Sequence, residues 1–237
     1  MPDWKQLSEA LSSTLHLTTA PIGITFSDQA PAGVDAFDAP MAAPAEDGRT
    51  GRVPAGCAFW THAAERTFTT VAEDHGNCSV GSFTHGLKTA EEVAGNGDVA
   101  ALVGSGWAPD TLLSVLPSVS GGPSNVTYGP LRDTPVDPDV VLIRLNAKQL
   151  MVLSDASPGL AIEGKPQCHI IPMARESQLV AASVGCMLSR VRTGMPSTEM
   201  TAVIPGPRLA EVVGALEETS RIDSVVASYA ATDAERF

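Results

Sequence analysis

The chain reads as an α/β or α+β protein, with two βα-containing lobes around a mixed sheet in a single domain. Three observations predict this class. Apolar residues recur at helical spacing at both ends, in Trp4, Leu7, Leu11 and Leu15 and again in Leu209, Val212, Val213 and Leu216. Two short continuous apolar runs, Val140–Leu145 and Met200–Ile204, read as buried strands. Each of these runs leads through a turn into an amphipathic helix, and strands alternating with helices define the class.

Residues 3–16 form the first predicted helix, broken by Ala20-Pro21 before the short strand Ile22–Phe26. Residues 27–55 are rich in Pro, Ala, Gly and Asp and read as a long irregular segment, a surface loop or a flap. A cysteine-bearing block follows: a helix over Ala58–Glu65, a strand over Thr67–Val71 and a loop over Glu73–Gly81. Residues 89–127 are mixed, with a helix at Thr111–Leu116 and turns at Pro117 and Gly121-Gly122-Pro123. Asp137-Pro138-Asp139 launches the strand Val140–Leu145. Asn146 then caps a helix with Leu150, Met151 and Leu153 on its apolar side. Leu179–Val184 reads as a further buried strand ending near Cys186. Met200–Ile204, the turn Pro205-Gly206-Pro207 and the last helical stripe repeat the strand–turn–helix order, which raises a pseudo-repeat between lobes at roughly 1–130 and 131–237.

The 237 residues suffice for a sizeable core without disulfide or metal staples. With 43% hydrophobic residues the chain is globular, and no apolar run approaches the roughly 18 residues a membrane span needs. The first 17 residues read as a helix rather than a signal peptide, so a cytoplasmic location is expected, where stable disulfides are uncommon. A formal net charge of −12 repels phosphate backbones and anionic lipid, which speaks against nucleic-acid and membrane partners. A small-molecule ligand or substrate is the expected partner, with homodimerisation left open.

The chemistry concentrates around four cysteines: Cys57, Cys78, Cys168 and Cys186. His75 and His85 flank Cys78, and His169 follows Cys168. The run His75-Gly76-Asn77-Cys78 places imidazole and thiol three residues apart across a glycine. Strand ends in α/β sheets collect ligand sites, and Cys186 falls at one. Each cysteine also has an ordinary use, because free Cys is among the most buried residue types. Separations of 21, 90 and 18 residues contain no Cys-x-x-Cys, so any shared site is assembled by the fold and not by a local zinc or ferredoxin motif. No Gly-x-Ser-x-Gly elbow, phosphate loop or dinucleotide fingerprint occurs.

Several blocks together resemble a known family. They are Ala20-Pro21-Ile22-Gly23-Ile24-Thr25-Phe26, Gly56-Cys57-Ala58, His75…Cys78-Ser79-Val80-Gly81 and Pro138-Asp139-Val140-Val141-Leu142-Ile143. Gln167-Cys168, Gly185-Cys186-Met187-Leu188-Ser189-Arg190 and Glu199-Met200…Ile204-Pro205 complete the set. On these the chain is similar, over nearly its whole length, to the family called domain of unknown function one-six-nine, in which cysteines recur at these four places. The sequence departs from that pattern in the long segment before Cys57 and in Met187-Leu188. The resemblance implies a fold and a set of positions, not a reaction.

Three readings of the site follow. In the first, Cys57, Cys78, Cys168 and Cys186 ligate metal in an iron-containing enzyme, a lyase or oxidoreductase. Four thiolates match the ligand count of an iron–sulfur cluster. Haem held axially by His75, Cys78, His85 or His169 is a variant, and structural zinc fits by count. In the second, Cys78 is a nucleophile activated by His75, itself oriented by Asp74. In the third, the protein is a non-catalytic binding or sensing module, with His85, His169 and Arg190 among the residues that hold the cofactor or ligand and Arg192 beside them.

Overall fold

A computed structural model of the chain describes residues 2–38, 56–193 and 195–233. Seven strands form one sheet, flanked by helices on both faces. The elements in order are α1 (Trp4–Leu15), β1 (Ile22–Ser27), α2 (Gly56–His62), β2 (Phe68–Val71), α3 (Ser79–Thr84), α4 (Ala90–Ala94), α5 (Gly97–Gly104), α6 (Leu112–Val115), β3 (Asn125–Pro130), β4 (Val140–Leu145), α7 (Ala147–Ala156), β5 (Ala161–Glu163), α8 (Ile170–Ser177), β6 (Ala181–Ser183), α9 (Met187–Thr193), β7 (Met200–Pro205) and α10 (Leu209–Asp233).

The sheet order is β2-β3-β1-β4-β7-β6-β5. Every neighbouring pair is antiparallel except β5 and β6. The sheet is therefore mixed, as expected, and runs without a break through both halves of the chain. The two predicted strand–turn–helix units lie side by side. β4 pairs with β7 from Val140↔Pro205 to Leu145↔Met200, and α7 packs on α10.

Alternation along the central strands divides the core in two. On β4, Val141, Ile143 and Leu145 face one way, into a cluster with Leu11 and Leu15 of α1, Leu150 and Leu153 of α7, and Leu209, Val212 and Leu216 of α10. Val140 and Leu142 face the other way, with Ile22, Ile24, Phe59, Phe68, Tyr128, Ile170 and Ile171. The cysteines lie on this second side. A smaller cluster, Val80, Val99, Ala108 and Leu112, packs beside them.

Several elements differ from expectation. The predicted loop at 73–81 holds a 3-10 turn, Ala72–His75, and the start of α3. The mixed stretch contains α4, α5 and the start of β3, which runs on to Pro130 between β2 and β1. Met151 is 52% exposed and sits off the apolar face of α7. The strand expected over Leu179–Val184 shortens to Ala181–Ser183, with Leu179 and Val184 exposed. The part of the predicted irregular segment from 39 to 55 lies outside the described residues. No described helix is long and apolar enough to cross a membrane.

Candidate functional site: a four-cysteine cavity

All four cysteines line one cavity. Its wall is Gly56, Cys57, Cys78, Val80, Gly81, Trp107, Pro166, Gln167, Cys168, Cys186, Leu188 and Ser189, around a space of about 30 Å³. No disulfide joins the four cysteines, and no lining side chain is charged.

Each cysteine stands at the N-terminal end of a helix. Cys57 is in the first turn of α2, and Cys78 is the N-cap of α3. Cys168 lies in the 3-10 turn Gln167–His169 that runs into α8. Cys186 directly precedes α9. Helix starts carry unpaired backbone N–H groups, and two of the sulfurs take them up: Gly81 N donates to Cys78 Sγ and Ser189 N donates to Cys186 Sγ, each at 3.4 Å. The helices are brought together by packing of α2 on α9 and of α3 on the turn bearing Cys168. Buried Gln167 ties the wall to the sheet. Its Nε2 donates to Thr201 Oγ1 of β7 at 2.5 Å, and its Oε1 accepts from Ser189 Oγ at 2.6 Å.

Electrostatics show how closely the thiols are grouped. Burial pushes the Cys168 thiol well above its ordinary pKa, and the neighbouring sulfurs of Cys78, Cys186 and Cys57 push it the same way, while Thr84 beside it acts in the opposite sense. Buried Tyr128 is also raised, by burial first and then by Cys57 and Cys168. Among the described residues no group of three or more His, Cys, Asp or Glu could hold a metal ion.

The other sequence candidates fall elsewhere. The Asp74 carboxylate accepts from Val71 N at 2.9 Å, capping its own turn, so it is not the partner of His75. His75 is fully buried and bonded to Thr70 Oγ1 at 3.0 Å. Burial and the adjacent His85 hold its pKa well below the ordinary value. The Asp74–His75–Cys78 relay is therefore not assembled in this structure. His85 is also fully buried; burial lowers its pKa to about 4 against the opposing bond to Gly81. His169, lowered by burial, lies 3.6 Å from Glu163 and does not line the cavity. Arg190 spends its guanidinium on the carbonyls of Pro196, Val184 and Glu199 and braces the loop at Gly185. The side chain of Arg192 lies outside the described residues.

Sequence reasoning missed the wall residues Trp107, Pro166 and Leu188 as a group, and it missed Thr70 and Tyr128 behind the cavity. Trp107 has one signal, a lone aromatic after Gly104-Ser105-Gly106; its ring carries Lys165 Nζ at 4.6 Å. Tyr128 and Thr70 had none, being unremarkable strand positions.

The family model described as Uncharacterised ArCR, DUF169, matches residues 10–215. The chain belongs to this family. The match takes in the whole sheet and all four cysteines, and it ends at residue 215 within α10. No curated protein and no solved structure matches the chain.

Proposed function

We propose that the protein holds an iron–sulfur cluster at the four-cysteine cavity and acts through it on a small molecule. One observation carries the reading: thiols as far apart in sequence as Cys57 and Cys186 line a single cavity with no other ionisable side chain in its wall. Burial raises the Cys168 thiol first, and the neighbouring sulfurs of Cys78, Cys186 and Cys57 add to it, so ionised thiols here would repel one another. A bound cation relieves that repulsion. Backbone N–H groups already aimed at two of the sulfurs are the kind of hydrogen bond that tunes a cluster. A polynuclear cluster also accepts a wider spread of sulfurs than a single zinc ion, which needs all its ligands about 2.3 Å from one point. The narrow cavity favours a compact inorganic group over a haem, which calls for a pocket of several hundred Å³.

Such a cluster would supply electron transfer, and Lewis acidity only where substrate displaces one of the four sulfurs and opens an iron. The chain contributes Cys57, Cys78, Cys168 and Cys186 as ligands. Trp107, Val80 and Leu188 form an apolar shell that limits water, and Gln167 and Ser189 hold the wall in place. One observation favours a non-catalytic, sensing role instead: the cavity offers no charged acid or base. The two roles separate by adding candidate small molecules to the reduced cluster. A changed paramagnetic spectrum indicates an iron open to substrate.

The first test is chain purified without oxygen. A broad absorption near 400 nm with iron and sulfide is the expected result, lost in Cys168→Ser. Colourless protein without iron, even after reconstitution with ferrous iron and sulfide, overturns the reading.

A further inference from the structure

Behind the cavity lie two imidazoles that the cysteine reading leaves unused. His75 and His85 are fully buried, with ring centres 5.4 Å apart and planes at 48°. Their hydrogen bonds fix their tautomers. Thr70 Oγ1 donates its one proton to the Val126 carbonyl at 3.1 Å, so it accepts from His75 Nε2–H. The Gly81 carbonyl only accepts, so His85 Nδ1 carries the proton in their 2.8 Å bond. His75 Nδ1 and His85 Nε2 are left as bare lone pairs, buried and without any hydrogen-bond partner. The lowered pKa of both rings keeps them neutral and available as ligands.

Gly56 lies against both rings. A methyl built on Gly56 would stand 3.2 Å from His85 Nε2 and 3.8 Å from His75 Cε1, the carbon beside the bare Nδ1. A side chain here would press on His85, and Gly56 is also part of the cavity wall. Tyr128 stacks against His75 with ring centres 6.3 Å apart, and its buried hydroxyl also lacks a partner.

We propose that His75 Nδ1 and His85 Nε2 together hold a zinc-type transition-metal ion, at a site separate from the four sulfurs. Histidines that bind metal almost always donate their other N–H to a carbonyl or similar acceptor, as both do here. Two imidazoles bound tetrahedrally at about 2.0–2.1 Å place their ring centres about 5 Å apart, close to the separation observed. With two protein nitrogens the site falls outside any group of three His, Cys, Asp or Glu among the described residues. The inference does not depend on what the cysteines bind.

The experiment uses the full chain, metal-free and reduced, with ¹⁵N in its five histidines and zinc as the probe. Two imidazoles are expected to show the tautomers assigned above and to lose their bare-nitrogen resonances by two equivalents of zinc, the first of which the four thiols can take up. His75→Phe and His85→Phe assign them. Cys168→Ser, which removes a sulfur ligand, is expected to leave the response intact, so this site and the cluster reading fail separately. Gly56→Ala keeps both rings but crowds the space in front of them, and at least tenfold weaker zinc binding is expected. Imidazole resonances unmoved by excess zinc, or zinc held as tightly by Gly56→Ala as by the parent, overturn the inference.

Discussion

Cys168 is the most constrained group in the cavity. It lies between a buried turn and three other sulfurs, and every sulfur raises the cost of its ionisation. Its neighbour Gln167 is held as tightly, but by hydrogen bonds. One side-chain amide bridges Thr201 on the sheet to Ser189 on α9, and through α9 to Cys186. Gln167→Leu keeps the size and removes both bonds: the buried Thr201 hydroxyl loses the donor from Gln167, while Ser189 keeps its bonds to the Cys186 backbone. Leaving buried polar groups unpaired costs about 1–3 kcal/mol. Urea denaturation is therefore expected to show a loss in that range, and alkylation of Cys186 to accelerate as α9 loosens. A variant as stable as the parent would mean that the bridge is not what fixes α9. The four cysteines stand out in sequence because each is chemically distinctive. Tyr128 and Thr70 do not, because a strand tyrosine and a strand threonine carry no motif until the fold sets them beside His75.

Elements with a strong period were legible. α1, β4, α7, β7 and the first half of α10 bury a continuous apolar face, and the pattern alone locates them. Elements whose period is broken by a small residue were not. Gly81 lies inside α3, where Gly81 N is the donor to Cys78 Sγ, so a residue that reads as a turn is part of the site. Gly129 lies in β3 because Thr67 packs where its side chain would be, 2.3 Å from a built methyl. The strand therefore continues through Gly129, between β2 and β1. Caps were legible where they used ordinary chemistry. Asn146 accepts from Gln149 N at 3.0 Å while Gln149 Oε1 accepts from Asn146 N at 2.7 Å, a reciprocal capping box on α7. Asn146→Ala is expected to cost about 1 kcal/mol, read as a lower thermal midpoint. An unchanged midpoint would show that Gln149, through its bonds to the Leu15 and His16 carbonyls, anchors this helix start without the cap.

Taken whole, the molecule buries ionisable groups of both kinds on one side of its sheet, and this sets a pH range for the metal-free chain. His75 and His85 have folded pKa values below 6.5, so below that pH the unfolded chain takes up protons that the folded chain refuses. Stability is full above 6.5 and falls as pH drops toward the folded values. With its folded value at about 4, His85 alone accounts for a loss of about 2 kcal/mol at pH 5. Cys168 acts in the opposite direction. Its folded pKa lies above the ordinary thiol value, so stability is full below about 8.5 and falls as the unfolded thiol ionises at higher pH. Tyr128 adds to the same loss above about 10. Denaturation across this range should give a plateau between the two limbs. Metal at the cysteines changes the shape in a diagnostic way. A ligated Cys168 is already deprotonated when folded, so its alkaline loss disappears, and acid competes directly with the metal for the sulfur. A loaded chain that still loses stability above pH 8.5 as steeply as the metal-free one would place the metal somewhere other than on Cys168.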